Sequence, residues 1–366
     1  MQDIDLAALQ RQVLWGAFAL SLALGVVVQR SHFCTMGALA DVLSMRSWAR
    51  LRMWALAAGT AMLGFNLMVG LGWLQAADTL YAAPRLPWLS QALGGLLFGW
   101  GMVLASGCGS RNLVRLGGGN LKALVVLLVM GLSAWAALKG LLALWRVASV
   151  DRVYLSLATG QDLPSLLGPA LGLATPQAAL VLGGLLGAAL VAWALSRRAE
   201  RDAALWLGGL GSGLLLCALW WLGGRWGLVA EHPETLERVF VGASQAQRMD
   251  GFSFVAPLAA GLEWLMYASD AHRRLHIGIV SVAGVLLGGW LAALAGRQFR
   301  WESFRDAADM RRHLLGAFLM GVGGVLGLGC SIGQGLSGLS TLALGSFITL
   351  AGIVTGALLQ LRRDLA

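Results

Sequence analysis

Residues 94–112 read GGLLFGWGMVLASGCGSRN, and residues 316–334 read GAFLMGVGGVLGLGCSIGQ. Superposing the two cysteines, at one ungapped offset of 222, matches Gly94 to Gly316, Leu97 to Leu319, Gly99 to Gly321, Gly101 to Gly323, Val103 to Val325, Leu104 to Leu326 and Gly107 to Gly329. Beyond the cysteines the polar residues agree in kind, with Asn112 opposite Gln334. A duplicated apolar segment interrupted by glycine is what a membrane transporter built from internal repeats leaves in its sequence, and the interrupted segments mark the binding site. A thiol at both interruptions points to sulfur chemistry.

The surrounding chain fits that reading. Of 366 residues, 58% are hydrophobic and 12% charged, where an ordinary globular protein carries about 25% charged residues. Apolar runs long enough to cross a hydrocarbon core, which takes about 20 helical residues, recur throughout. The net charge of +9 is almost all arginine. Those arginines lie mostly between the apolar runs, where cytoplasmic loops carry them, so nucleic acid is not expected as a partner. The N-terminus, MQDIDLAALQRQ, lacks the basic start of a cleaved signal peptide. Cys34, Cys108, Cys217 and Cys330 show no CxxC and no Cys/His ligand spacing, and HExxH is absent. Neither a metal site nor a disulfide framework nor a cofactor is expected.

Nine full-length spans are expected near residues 11–28, 52–74, 90–107, 121–145, 177–196, 204–222, 275–296, 313–329 and 341–361. Four pieces near 33–45, 110–117, 252–268 and 332–338 are too apolar for loops and too short to span. Non-helical backbone survives at membrane depth only inside protein or along a water-lined cavity, so these pieces are read as re-entrant. The fold class is therefore an all-α polytopic membrane protein, one transmembrane transporter domain over 1–366. The loops after spans one, three, five, seven and nine hold most of the lysine and arginine. This puts the C-terminus in the cytoplasm and the N-terminus in the periplasm. An odd number of spans separates Cys108 from Cys330, so the two copies face opposite sides. The expected organisation is a first repeat over 33–145, a connector with two spans over 146–251 and an inverted second repeat over 252–361.

Each cysteine break ends one helix and begins a short one, leaving backbone N–H groups and a positive dipole end for an anion. Gly107, Gly109, Gly329 and Gly333 let a substrate approach the backbone, and Asn112 and Gln334 offer polar contacts. A neutral thiol is a weak donor suited to holding a sulfur or selenium atom briefly, which supports transport. A thiolate would instead attack that sulfur, which supports enzymology. Cys34, in RSHFCTMGALAD, is a third candidate; its counterpart in the second half falls near Ala256, where no cysteine stands. Cys217, in LLLCALWW without a glycine break, is read as packing. Arg111 and Arg115 are placed to attract an anion. Lys139 and Glu263 are ionisable groups inside apolar segments and so are also site candidates.

At SHFCTMGALAD, ASGCGSRNLVRLGGGN and GLGCSIGQGLSG the chain resembles the YeeE/YedE family of bacterial inner-membrane proteins, whose members include thiosulfate transporters. The resemblance extends from the first span to the ninth. It implies nine long helices with several short ones in an inverted repeat, and three cysteines along a central path that pass thiosulfate by transient S–H to sulfur contacts. By motif those are Cys34, Cys108 and Cys330. It also implies a soluble sulfur-carrier or sulfurtransferase partner on the cytoplasmic side. Other relatives handle selenium. The rivals are a transporter of a selenium compound and a membrane thiol enzyme transferring sulfane sulfur, for which the sequence shows no close cysteine pair.

Overall fold

A computed structural model describes residues 5–197, 201–233, 236–245, 247–270 and 274–365. The helices, in order, are α1 (Leu6–Ser31), α2 (Thr35–Ser44), α3 (Ala49–Gly70), α4 (Trp88–Leu104), α5 (Gly109–Gly117), α6 (Leu121–Lys139), α7 (Leu141–Ala148) and α8 (Leu163–Leu167). They continue as α9 (Thr175–Ala194), α10 (Ala203–Leu205), α11 (Ser212–Trp221), α12 (Ala256–Met266), α13 (Ile277–Ala295), α14 (Ala307–Leu326) and α15 (Leu344–Leu365). α10 and α11 run on through π-helical turns at Trp206–Gly211 and Leu222–Trp226 as one rod. Two short antiparallel pairs are the named strands among the described residues: β1 (Arg85–Leu86) with β2 (Leu155–Ser156), and β3 (Leu228–Val229) with β4 (Val239–Phe240).

The chain is an all-α polytopic membrane protein. Among the described residues, eight helical stretches are long and apolar enough to cross a membrane. α14, on the eighth expected span, is 20 residues long but opens with Asp309, Arg311 and Arg312, which shortens its apolar part. The four short pieces are all helical: α2, α5, α12 and a π-helical turn at Gly333–Gly338. One expected boundary moves. The span placed at 121–145 breaks after Lys139, because Gly140 leaves helical geometry at φ −97 and ψ −159, and α7 continues separately with no buried residue. Residues 1–4 of the N-terminal stretch MQDIDLAALQRQ lie outside the described residues.

Side-chain oxygens of Asp5, Asn120 and Asp306 accept the free N–H groups at the starts of α1, α6 and α14, the usual remedy for unsatisfied first-turn donors. α4 lies between α14 and α15, and bare glycine backbone lets all three approach closely: a Cβ on Gly95 would sit 2.3 Å from the Thr349 carbonyl oxygen. Such small-residue contacts are how helices associate in lipid, where burying apolar surface gives no drive. Buried aromatics fill the centre, with Trp220 edge-on to Phe65 at 5.2 Å between ring centroids and its indole N–H donating to Ser340 Oγ at 3.1 Å. Leu128, Leu185, Leu214, Leu294 and Leu315 are exposed on the outside, as a lipid-facing surface requires.

Candidate functional site

The two cysteine breaks are built by the same local chemistry. After α4, Ser106 turns left-handed (φ 55), and Ser106 and Gly107 donate back to the Val103 and Met102 carbonyls at 3.1 and 2.8 Å. After α14, Leu328 does the same (φ 55), and Leu328 and Gly329 donate to Val325 and Gly324 at 3.1 and 2.8 Å. This pair of back-bonds is the Schellman cap, which satisfies the last carbonyls and turns the chain out of the helix. Gly107 and Gly329 then adopt φ 156 and 159, conformations that glycine enters at no steric cost, and the next residue in each case is the cysteine.

All three candidate thiols stand at helix starts. Cys34 is the N-cap of α2, its Sγ accepting from Gly37 N–H at 3.4 Å. Cys330 Sγ accepts from Gly333 N–H at 3.3 Å. Cys108 is the N-cap of α5 by backbone geometry but makes no side-chain cap bond; its Sγ lies 3.3 Å from Ser110 Oγ instead. It is also near the Cys34 thiol and near Ser331, the residue that follows Cys330. Cys108 and Cys330 are buried, and Cys34 is half-buried.

Two amides brace the breaks. Asn112 Nδ2 donates to the Gly107 and Cys108 carbonyls at 2.9 and 3.2 Å, and Gln334 Nε2 donates to the Gly327 carbonyl at 2.7 Å. Both residues are buried, and Asn112 Oδ1 and Gln334 Oε1 have no hydrogen-bond partner among the described residues. Gly109 faces Met130 and Phe254, where a Cβ would come within 3.3 Å of Met130 Cε. Gly333 faces Ser253, whose Oγ would be 2.9 Å from such a Cβ.

Cavities approach this cluster from both ends. One, of about 650 Å³, is lined by residues that include Leu6, Gln10, Lys139, Ser253, Leu328 and Gly329. The other, of about 310 Å³, is lined by His32, Cys34, Arg50, Ser106, Arg111 and Arg115. Leu6 and Gln10 begin α1 and His32 follows its last residue, so the cavities open at opposite ends of that helix. The larger reaches the residue before Cys330, and the smaller includes Cys34.

Charge is distributed unequally between them. In the smaller cavity Arg50 pairs with Asp41 at 3.1 Å, Arg115 donates to the Ser106 carbonyl at 3.0 Å, and Arg111 Nη1 is buried with no partner among the described residues. In the larger, Lys139 donates to both carboxylate oxygens of Glu263 at 2.8 and 2.7 Å. Asp250, in the loop beside it, accepts from Ser244 N–H and Oγ at 2.7 Å each, and burial pushes its carboxyl up to about 6.

The structure thus brings Cys34, Cys108, Gly107, Asn112, Arg111 and Arg115 together on one side of the cluster, and Cys330, Gly329, Gly333 and Gln334 on the other. Val255, fully buried, is the N-cap of α12 where a counterpart of Cys34 was sought near Ala256. Cys217 lies apart, its Sγ 3.7 Å from the Thr60 carbonyl. Ser110 and Ser331 were not singled out from the sequence; the signal available was a hydroxyl one or two positions after each cysteine.

A family model described as sulphur transport matches residues 30–359. The chain is 24% identical over 354 residues to the thiosulfate transporter TsuA of Spirochaeta thermophila, covering 94% of this chain and 97% of that protein. It is 25% identical over 327 residues to the thiosulfate transporter TsuA of Escherichia coli, covering 86% of this chain and 84% of that one.

Proposed function

The chain belongs to the sulphur-transport family, and from that premise we propose that it takes up thiosulfate, or a closely related sulfur-containing anion, through the bacterial inner membrane by way of Cys330, Cys108 and Cys34. One observation carries this reading: three thiols, each at a helix start, stand between cavities that open at opposite ends of α1. The relatives named as thiosulfate transporters support the substrate.

The anion enters by the larger cavity and meets the Cys330 break, where first-turn N–H groups and the helix dipole favour negative charge without a fixed cation. A binding site of amides, glycines and soft S–H groups holds a dianion weakly enough to release it. The terminal sulfur passes from the Cys330 thiol to Cys108 and then to Cys34, whose cavity carries Arg50, Arg111 and Arg115. That arginine-lined mouth faces the cytoplasm, with the C-terminus on the same side and the N-terminus in the periplasm. A soluble sulfur-carrier or sulfurtransferase protein collects the anion there. The architecture behind this path is an inverted repeat, 33–145 against 252–361, joined by the 146–251 connector.

The chain acts as a carrier and not as an enzyme in this reading. The nearness of Cys34 to Cys108 is the observation that favours the second reading: a Cys108 thiolate attacks the outer sulfur of thiosulfate, the S–S bond breaks, sulfite leaves and a persulfide remains. Intact mass of the purified protein after exposure to thiosulfate separates the two, because a carrier stays unmodified and the enzyme gains one sulfur.

The test of transport is uptake of isotope-labelled thiosulfate into proteoliposomes, beside Cys34→Ala, Cys108→Ala and Cys330→Ala. Uptake by the parent and its loss in folded variants supports the thiol path; undiminished uptake in all three single variants overturns it.

A further inference from the structure

Each of the three thiols is followed within two residues by a hydroxyl: Thr35 after Cys34, Ser110 after Cys108 and Ser331 after Cys330. Thr35 is 5% exposed, Ser110 4% and Ser331 0%. Thr35 Oγ1 and Ser331 Oγ have no hydrogen-bond partner among the described residues, although buried hydroxyls in folded proteins are nearly always bonded. Ser110 Oγ bonds the Cys108 sulfur at 3.3 Å and no other group among the described residues. Ser331 also lies near Cys108, so the central thiol has a hydroxyl from each half of the cluster.

These hydroxyls sit at the first helical positions after the thiols, where unpaired backbone N–H groups and the positive dipole end also lie. Serine and threonine at such positions commonly bond to nearby backbone; Thr35 Oγ1 and Ser331 Oγ do not. A thiol and a hydroxyl side by side differ in what they hold. Sulfur contacts a soft, polarisable terminal sulfur, whereas an O–H donates a short, charge-assisted bond to a hard sulfonate oxygen.

We propose that the thiols of Cys34 and Cys108 work with adjoining hydroxyls as two-part sites, in which the thiol holds the outer sulfur of the anion and Thr35 at the first, or Ser110 and Ser331 at the second, donates to its oxyanion end. This inference rests on the transport reading above and deepens it: the preferred substrate class is an anion with one soft sulfur and one sulfonate end. A bare sulfide lacks the second handle, and sulfate lacks the first. Two such sites in series hand the oxyanion from hydroxyl to hydroxyl in step with the sulfur.

The experiment compares labelled-thiosulfate uptake by proteoliposomes of the parent, Thr35→Val, Thr35→Ser, Ser331→Ala and the Thr35→Val/Ser331→Ala double variant. Size-exclusion profiles and thermal midpoints establish that each is folded. Valine keeps the shape of threonine and removes only the hydroxyl; serine keeps the hydroxyl and removes the methyl. The expected result is a KM about tenfold higher for Thr35→Val and for Ser331→Ala, the loss of about one hydrogen bond to a charged group, with parental KM in Thr35→Ser. Parental KM in folded Thr35→Val and Ser331→Ala, with the parent active, overturns the two-part site and leaves transport standing. Equal loss in Thr35→Ser and Thr35→Val also overturns it, since a packing role alone predicts that. No uptake by the parent overturns the transport reading and this inference with it.

Discussion

Gly94 and Gly323 lie back to back: a Cβ on either would come within 2.7 Å of the other's carbonyl oxygen. The offset of 222 turns this pair into Gly316 and Gly101, and these meet in the same way, at 2.7 and 2.6 Å. The helices leading to Cys108 and Cys330 therefore touch through backbone at two pairs that the offset exchanges.

Gly101→Val places a branched side chain against backbone atoms of Gly316 and Met320 that have nowhere to move. A loss of about 1–3 kcal/mol is expected, read as a lowered thermal midpoint in detergent. Gly184→Ala is the control: nothing lies within 4 Å of its Cβ position, so the midpoint stays within about 0.5 kcal/mol of the parent.

Cys217 separates packing from function. Its sulfur fills the space beside Gly64 and lies near the Thr60 carbonyl, away from both cavities. Cys217→Ala is expected to cost about 1 kcal/mol of stability and to leave thiosulfate uptake unchanged, in contrast to alanine at Cys34, Cys108 or Cys330. Uptake and thermal unfolding on the same preparation check both halves.

The Lys139–Glu263 pair joins residues on α6 and α12, with the lysine side chain 53% exposed and the glutamate 9%. Lys139→Met removes the ammonium to which both carboxylate oxygens are bonded, and the open side of the pair limits the loss to about 1–2 kcal/mol. Adding Glu263→Gln to Lys139→Met recovers part of that loss, because the buried charge is gone. A double-mutant cycle on thermal unfolding measures the coupling.

Asp250 gives the loop before α12 a pH dependence. Its folded carboxyl titrates at about 6, against about 3.9 in an unfolded chain. The folded state therefore binds the proton more tightly, and the contribution is fully present below about pH 4 and lost as pH rises through about 6. The parent is expected to lose thermal stability across that window, and Asp250→Asn to show a flatter profile over the same buffers.

Much of the fold was legible because spanning helices are long apolar runs and their ends are marked by glycine and charge. The four short helices were equally readable, since each is apolar yet too short to cross. The break after Lys139 was not, because Leu141 and Leu142 continue the apolar run and only backbone geometry at Gly140 separates them. Within the site, Cys34, Cys108 and Cys330 could be named from repetition and motif. That Cys34 and Ser331 both come near Cys108 depends on how α2, α5 and α14 pack. The bond between Lys139 and Glu263, 124 residues apart, is likewise a product of tertiary placement.

The sulfur caps at Cys34 and Cys330 have a consequence of their own. Ordinary helices begin on serine, threonine or aspartate because oxygen is a strong acceptor for the first free N–H groups. Sulfur is a weak one, and the bonds here are long, at 3.4 and 3.3 Å. A helix started by a thiol remains hungry for negative charge, and an arriving anion displaces little in order to satisfy it. Serine at either position would be chemically close and would make the more stable helix, and by completing the cap it would remove the reason for an anion to stop there.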